Sequence, residues 1–412
     1  MTMDISVVGG VYKESCAWPE HWQILGSAGR ASLILMQLEK ETSVSLYTSI
    51  HPEDIGDLHS QFINRHYSIK NLASDFTVQF SYDHPLAIPQ TYPRDIQLSD
   101  LPKLEIKDTK AKNSIVFGMY ERIPVVNCKS VVYDPQNVYF PRLFRQCGSE
   151  ADELIYILNR AELGYFYKQA GHDVSASFSN QARWLLYHEN AKAVVVKCGS
   201  LGALVCTRDK EEWISPCCTR KVNPIGSGDA FVAAFSHFYF VRQLSVFESA
   251  QKASIATAFY VEKGMMVSES NLNKFAQSAT FLESNNPKVK KKVYLAGPFF
   301  NVSQMWLVNQ CKLALESFGF EVFSPYHELG IAEAEIVAPE DIKAIDNCDL
   351  LYALFDGHDP GTLFEIGYAI KAGKQVVVYA ENSTDEHLKM YSGTGCVVER
   401  DFATSIYKLA WL

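Results

Sequence analysis

The chain has 412 residues, 47% hydrophobic and 21% charged, which is too long for one ordinary domain and normal for globular cores, so two cores are expected. A formal charge of -9 leaves no broad basic face to neutralise phosphates. This excludes nucleic-acid and membrane-surface partners and leaves small anions held by local amides. Ten cysteines are scattered without a C-x-x-C pair, so reduced core thiols are expected rather than zinc or disulfides. The opening strand Ile5-Ser-Val-Val-Gly-Gly10 has no basic leader before it, and no window approaches the roughly 18 apolar residues of a membrane span. A cytoplasmic protein is expected.

In chain order, the first strand is followed by a Gly-rich turn at Leu25-Gly-Ser-Ala-Gly29 and a helix at about 30-39. A β-rich stretch spans about 44-96, and buried-type strands follow at Ser114-Phe117, Ser130-Tyr133, Ala193-Lys197 and Ala203-Thr207. Residues 1-282 therefore read as an α/β core with an added β flap. A polar run at 283-292, with proline and four lysines, reads as a solvated linker. Beyond it, residues 293-412 alternate: strand Val293-Ala296, helix 303-318, strand Glu321-Phe323, helix 338-347, strand Leu350-Phe355, helix 362-372, strand Gln375-Tyr379, then a strand near 395-398 and a helix near 402-411. Such alternation predicts a doubly wound parallel sheet with ligands at the C-terminal ends of its strands.

Asn223-Pro-Ile-Gly-Ser-Gly-Asp229 puts glycines before an apolar helix. Amides at Gly226, Ser227 and Gly228 would face an anion, and Asp229 would either cap the helix or accept a hydroxyl proton during phosphoryl transfer. With Val-Val-Gly-Gly10, Asp134-Pro-Gln-Asn137, Asn159-Arg-Ala-Glu162 and Lys197-Cys-Gly-Ser-Leu-Gly202, the segment resembles the ribokinase-like (PfkB) sugar and nucleoside kinases over about residues 3-280. The resemblance implies a ribokinase-like fold, ATP and Mg2+ as cofactors, Asp229 as base and Gly226-Gly228 as anion hole. It also implies that Asn159 and Glu162 organise phosphates and, indirectly, magnesium, although alone they read as a helix-capping pair. Glu14 would stand for the family's sugar-binding aspartate. The pattern departs at Asn223, where the family usually has aspartate, and at Gly26-Ser-Ala-Gly-Arg-Ala31, where an asparagine is lost.

The second motif, Asp359-Pro-Gly-Thr-Leu-Phe-Glu365, follows a strand, as does Tyr294-Leu-Ala-Gly-Pro-Phe-Phe300. Glu365 is expected in the first turn of its helix, ionised by the helix dipole, with Gly361 admitting substrate. An ionised carboxylate beneath an anomeric carbon can attack it while a second carboxyl manages the leaving group. With Asp341 ahead of Asn347-Cys-Asp349, the stretch from 292 to 400 resembles the nucleoside 2-deoxyribosyltransferases and their relatives that hydrolyse nucleoside 5'-monophosphates. The resemblance implies a flavodoxin-like domain and Glu365 as nucleophile. Asp341 and Asp359 would hold and protonate the base, Tyr294 would position Glu365, and Gly297 and Gly361 would lie against substrate. It further implies a homo-oligomer, with His387 the counterpart of a late asparagine; Asp349 reads as strand-edge structure.

The combined expectation is a bifunctional salvage enzyme acting on nucleosides or deoxynucleoside monophosphates, with free nucleobase and ATP as partners. A glycosyl enzyme with a non-catalytic kinase-like regulator and a nucleotide sensor without turnover are the other two readings.

Overall fold

The computed structural model describes residues 4-94, 101-106, 112-136, 140-282, 290-330 and 333-412. Residues 95 and 96 of the β-rich stretch, Asn137, and positions 283-289 of the expected linker lie outside the described residues. The chain divides into two compact units. One comprises Met1–Thr219 with Asn223–Ser284, and the other Arg220–Val222 with Asn285–Leu412.

The main sheet of the first unit has ten strands among the described residues. In spatial order nine of them are Glu211–Ile214, Ala203–Thr207, Ala193–Lys197, Glu150–Asn159, Ile123–Asp134, Asn113–Phe117, Asp4–Val8, Ser43–Thr48 and Tyr67–Asn71; Lys103–Ile106 also pairs with Ile123–Asp134. Pairing is parallel from Tyr67–Asn71 to Ala193–Lys197, and antiparallel in the two pairs beyond it. Continuous apolar runs suit such strands because both faces are covered. Ile5, Val7, Ala193 and Val195 enter one core layer, while Val8, Val194 and Val196 enter the other. This period of two distributes each strand between the layers. Asp134, Asn159 and Lys197 end three adjacent parallel strands, which brings their side chains to one edge.

The flap is a second sheet with strand order His21–Ile24, Lys13–Cys16, Gln79–Tyr82 and Gln90–Tyr92; two of its strands precede the β-rich stretch expected to supply it, and Ser43–Thr48 and Tyr67–Asn71 of that stretch pair parallel in the main sheet instead. The expected Gly-rich turn, however, is already helical, since the helix runs Gly26–Leu38. Gly26 enters it at φ 55, and a Cβ there would lie 2.6 Å from the Tyr12 nitrogen. The small residues thus allow close packing at a helix start. They do not break it.

The second unit has a parallel sheet with order Glu321–Phe323, Lys292–Ala296, Leu350–Leu354, Gln375–Tyr379 and Val397–Glu399. This is the flavodoxin-like order, and its direction reverses between Lys292–Ala296 and Leu350–Leu354, where such sheets hold ligands. The helix before Leu350 begins at Ala334 with Pro339 inside it, earlier than expected, because proline reads as a start in sequence. Asp385–Gly393 is a helix the sequence did not suggest. Leu388 is its buried residue, too little for an apolar period.

All ten cysteines are free. No helix among the described residues is long and apolar enough to cross a membrane.

Gly118 fixes the turn beneath Asp134, donating its N–H to the Asp134 carbonyl at 2.8 Å. A methyl at Gly118 would sit 1.9 Å from the Pro135 carbonyl oxygen, and backbone cannot yield as a side chain can. Gly118→Ala is expected to destabilise the first unit by about 1–3 kcal/mol in denaturant unfolding. An unchanged midpoint would show that the turn adapts freely.

Candidate active sites

In the second unit, Tyr294 is fully buried in the strand Lys292–Ala296 and stacks on Phe323. Its hydroxyl donates to Glu365 Oε1 at 2.7 Å. Glu365 lies on the helix Pro360–Lys371, whose N-cap is Asp359. The Asp359 Oδ2 accepts from the Thr362 N–H at 2.8 Å and the Thr362 hydroxyl at 2.9 Å, with Pro360 at the favoured first position.

Because the helix starts at Pro360, Glu365 is in its second turn, and the first turn holds no acidic residue. The expectation of a dipole-ionised Glu365 is therefore corrected. Burial pushes its carboxyl up to about 8; the Tyr294 hydrogen bond opposes this, and Asp341 and Asp359 add to it. Burial likewise raises Asp341, again opposed by Tyr294. One phenolic proton cannot serve both acids. Asp341 Oδ1 is buried with no hydrogen-bond partner among the described residues.

Tyr294, Glu365 and Asp341 thus meet, with Asp359 close enough to act on Glu365. Gly297 is required by packing, since a Cβ would lie 2.9 Å from Leu354 Cβ. At Gly361 a Cβ would lie 3.2 Å from Asp359 Oδ2, so a side chain would crowd the cap. His387 is exposed, and its ring meets His358 edge-on at 4.3 Å. That ring contact joins it to the loop residue one position before Asp359, while its backbone N–H donates to the Thr384 hydroxyl that caps its helix. Sequence reading overlooked His358; its position between Gly357 and Asp359-Pro was the available signal. Asp349 accepts the Lys292 N–H at 2.7 Å, as strand-edge structure should.

In the first unit, Asp229 is the third residue of the helix Ser227–Ser236, and the N-cap is Gly226 at φ 75 with no side-chain cap. Asp229 is not a cap. Its Oδ2 accepts from Arg30 Nη1 and its Oδ1 from Gln136 Nε2, both at 2.5 Å. Arg30 Nη2 also donates to Glu14 Oε2 at 2.5 Å, and Gln23 Nε2 reaches the same oxygen at 3.0 Å. Of the amides expected to face an anion, that of Ser227 donates to the Pro224 carbonyl at 3.0 Å, so the turn uses it. Asn223 Oδ1 accepts the Ile225 N–H at 3.2 Å.

Asn159 and Glu162 form a reciprocal capping box on the helix Arg160–Gln169, with bonds of 2.8 and 2.9 Å. Glu162 has a second environment. Burial, then Asp134, push its carboxyl up to about 7, while Lys197 pulls it down. Lys197 pairs with Asp134. Burial opposes the lysine charge, but Asp134 and Glu162 outweigh it and raise its pKa. A Cβ on Gly228 would lie 3.3 Å from Lys197 Nζ. No group of three or more His, Cys, Asp or Glu among the described residues could cage a metal. Sequence reading missed Arg30, Gln136 and Lys197 as members of the site. A lone arginine in the small-residue run 26-31 was the signal for the first.

The family model described as nucleoside 2-deoxyribosyltransferase matches residues 293–402, and the pfkB family carbohydrate kinase model matches 127–270. No curated protein matches the chain. Among solved structures, a ribokinase from Thermotoga maritima is 14% identical with a TM-score of 0.51, covering 67% of this chain and 99% of its own. A microbiome-derived acarbose kinase is 17% identical with a TM-score of 0.50, covering 67% and 100%. A fructokinase double mutant from Vibrio cholerae is 15% identical with a TM-score of 0.50, covering 66% and 98%. At such identities these structures show the fold alone. The chain therefore joins a ribokinase-like domain of the pfkB carbohydrate kinase family to a flavodoxin-like domain of the nucleoside 2-deoxyribosyltransferase family.

Proposed function

We propose that the chain is a bifunctional nucleoside or nucleotide salvage enzyme whose second unit cleaves or exchanges the N-glycosidic bond of 2'-deoxynucleosides or their 5'-monophosphates. The observation that carries this is the 2.7 Å bond from Tyr294 to Glu365 beside the unpartnered Asp341 Oδ1. Two half-buried acids this close around one phenol favour holding a single proton between them and titrating as a pair. Movement of that proton from Glu365 to Asp341 arms both groups at once. Glu365 then attacks the anomeric carbon, the bond to the base breaks, and Asp341 protonates the departing nitrogen. Asp359, with Oδ2 committed to its helix, holds the base through its other oxygen. A second base or water attacks the glycosyl ester, so configuration is retained. A homo-oligomer assembled through this domain completes the proposal.

The first unit transfers phosphate from ATP to a sugar or nucleoside hydroxyl, with Asp229 as base. Its residues fit the phosphates: Gly226 opens the helix Ser227–Ser236 with no side-chain cap, and the Lys197 ammonium lies beside Gly228 in its first turn. Magnesium, when bound, neutralises phosphate charge. With no three-residue cage among the described residues, it would be held largely by phosphates and water, near Glu162 and Asp134. One observation favours a second reading, in which this unit binds ligand without turnover: both Asp229 oxygens are already occupied.

The shared proton predicts a bell-shaped pH profile for kcat/KM of base release, with an alkaline limb near the Glu365 value of about 8. Tyr294 stabilises ionised Glu365, so Tyr294→Phe should move that limb to higher pH. Asp341→Asn removes both a charge and the acid. It should lower the rate about 10²–10⁴-fold and abolish the alkaline limb, leaving activity that rises to a plateau. Identical limbs in all three proteins would refute the pairing.

Asp229→Asn should abolish ADP release in a screen of sugars and nucleosides while base release continues. Wild-type protein that releases no ADP with any acceptor would favour the ligand-binding reading.

A further inference from the structure

Lys197 ends the strand Ala193–Lys197, and the register sets it beside Asn159, the last residue of the neighbouring parallel strand. Ligands of open α/β sheets gather at this edge. Its ammonium pairs with Asp134, whose side chain is fully buried while that of Lys197 stays 15% exposed. The cation thus reaches from a buried acid to solvent. An ammonium has three N–H donors, and Asp134 Oδ2 takes one of them.

A Cβ on Gly228 would meet Lys197 Nζ at 3.3 Å, so the glycine lets the ammonium close on the first turn of the ten-residue helix Ser227–Ser236. Gly226, Ser227 and Gly228 are, like Lys197, partly open to solvent. An oxyanion that arrives at this turn therefore comes within reach of the ammonium as well as of the helix N-terminus. The neighbouring acids do not compete equally for Lys197. Glu162 is spent on the capping box of its own helix, and Asp229 on Arg30 and Gln136. Burial opposes the lysine charge, but Asp134, Glu162 and Asp229 outweigh it and keep the side chain cationic. A charge held in place by a buried acid needs no rearrangement when negative charge develops beside it.

We propose that Lys197 is a catalytic residue of phosphoryl transfer, donating from its ammonium to an oxygen of the transferring phosphoryl group at the Gly226–Gly228 turn, with Asp134 as the positioning residue that fixes it. This rests on the reading of the first unit as an ATP-dependent kinase. In the step, the acceptor oxygen bonds to the γ-phosphorus as the bond from that phosphorus to the β,γ-bridging oxygen breaks. The bridging oxygen keeps the electron pair and leaves with ADP. The acceptor proton passes to Asp229. Lys197 remains protonated throughout, facing the oxygens on which negative charge gathers. The competing account makes Lys197 a counter-ion of Asp134 and nothing more.

The test is calorimetric binding of Mg-ADP with and without aluminium fluoride, a mimic of the phosphoryl group in flight, to the full chain. Wild type is expected to bind the fluoride complex about 100-fold or more tightly than Mg-ADP alone. Lys197→Met removes the charge but strands Asp134 unpaired in the core, which is strongly destabilising. The double variant Lys197→Met with Asp134→Asn removes the stranded charge too, so it tests the proposal even where the single variant fails to fold. Both are expected to bind Mg-ADP within about threefold of wild type and to lose about 100-fold of the added tightening, the scale of one preorganised donor. Wild-type tightening in the double variant would show that Lys197 only balances Asp134, overturning the proposal while leaving the kinase reading intact. Loss of Mg-ADP binding as large as the loss with fluoride would place the ammonium on ground-state phosphates and overturn it as well. Absence of Mg-ADP binding by wild type would overturn the kinase reading and this proposal with it.

Discussion

Tyr294 is fully buried, and its hydroxyl has one proton to give. It goes to Glu365, so Asp341 Oδ1 is left unmatched in a place water does not reach. Burial, against which the single phenol works, decides the rest of the second site. It pushes Glu365 up to about 8, with Asp341 and Asp359 adding to it, and raises Asp341 as well. The strand order puts them there. Tyr294 lies on the strand beside the reversal point, and Glu365 on the helix that follows the neighbouring strand.

The first site is richer in cations. Asp229 and Glu14 are each served by Arg30, and Asp134 Oδ2 by Lys197, although Asp134 Oδ1 is buried without a partner among the described residues. Buried carboxylates held by fixed cations beside a helix N-terminus suit phosphoryl chemistry, whereas half-buried acids around one phenol suit glycosyl chemistry.

Strands were legible wherever an apolar run ended at a punctuating residue. Ala193–Lys197, Ala203–Thr207, Glu321–Phe323 and Gln375–Tyr379 have the expected ends. Polar helices were not legible, as Asp385–Gly393 shows, because one buried leucine makes no period. Among the candidate residues, Tyr294, Asp341, Asp359 and Glu365 were readable as spaced motifs, and they lie together. Their charge states were not readable, since the protonation of Glu365 depends on burial and on Asp341, from a helix before the intervening strand. Arg30 escaped for a related reason. The pairing of residues 199 positions apart with Asp229 leaves no local trace.

The proposed role of Glu365 as nucleophile is tested most directly by intact-protein mass spectrometry after acid quenching with a 2'-deoxynucleoside or its 5'-monophosphate. The expected result is one added deoxyribosyl or deoxyribosyl-phosphate unit, mapped to Glu365 and absent from Glu365→Gln. Base release without any such adduct, and with inversion at the anomeric carbon, would contradict it.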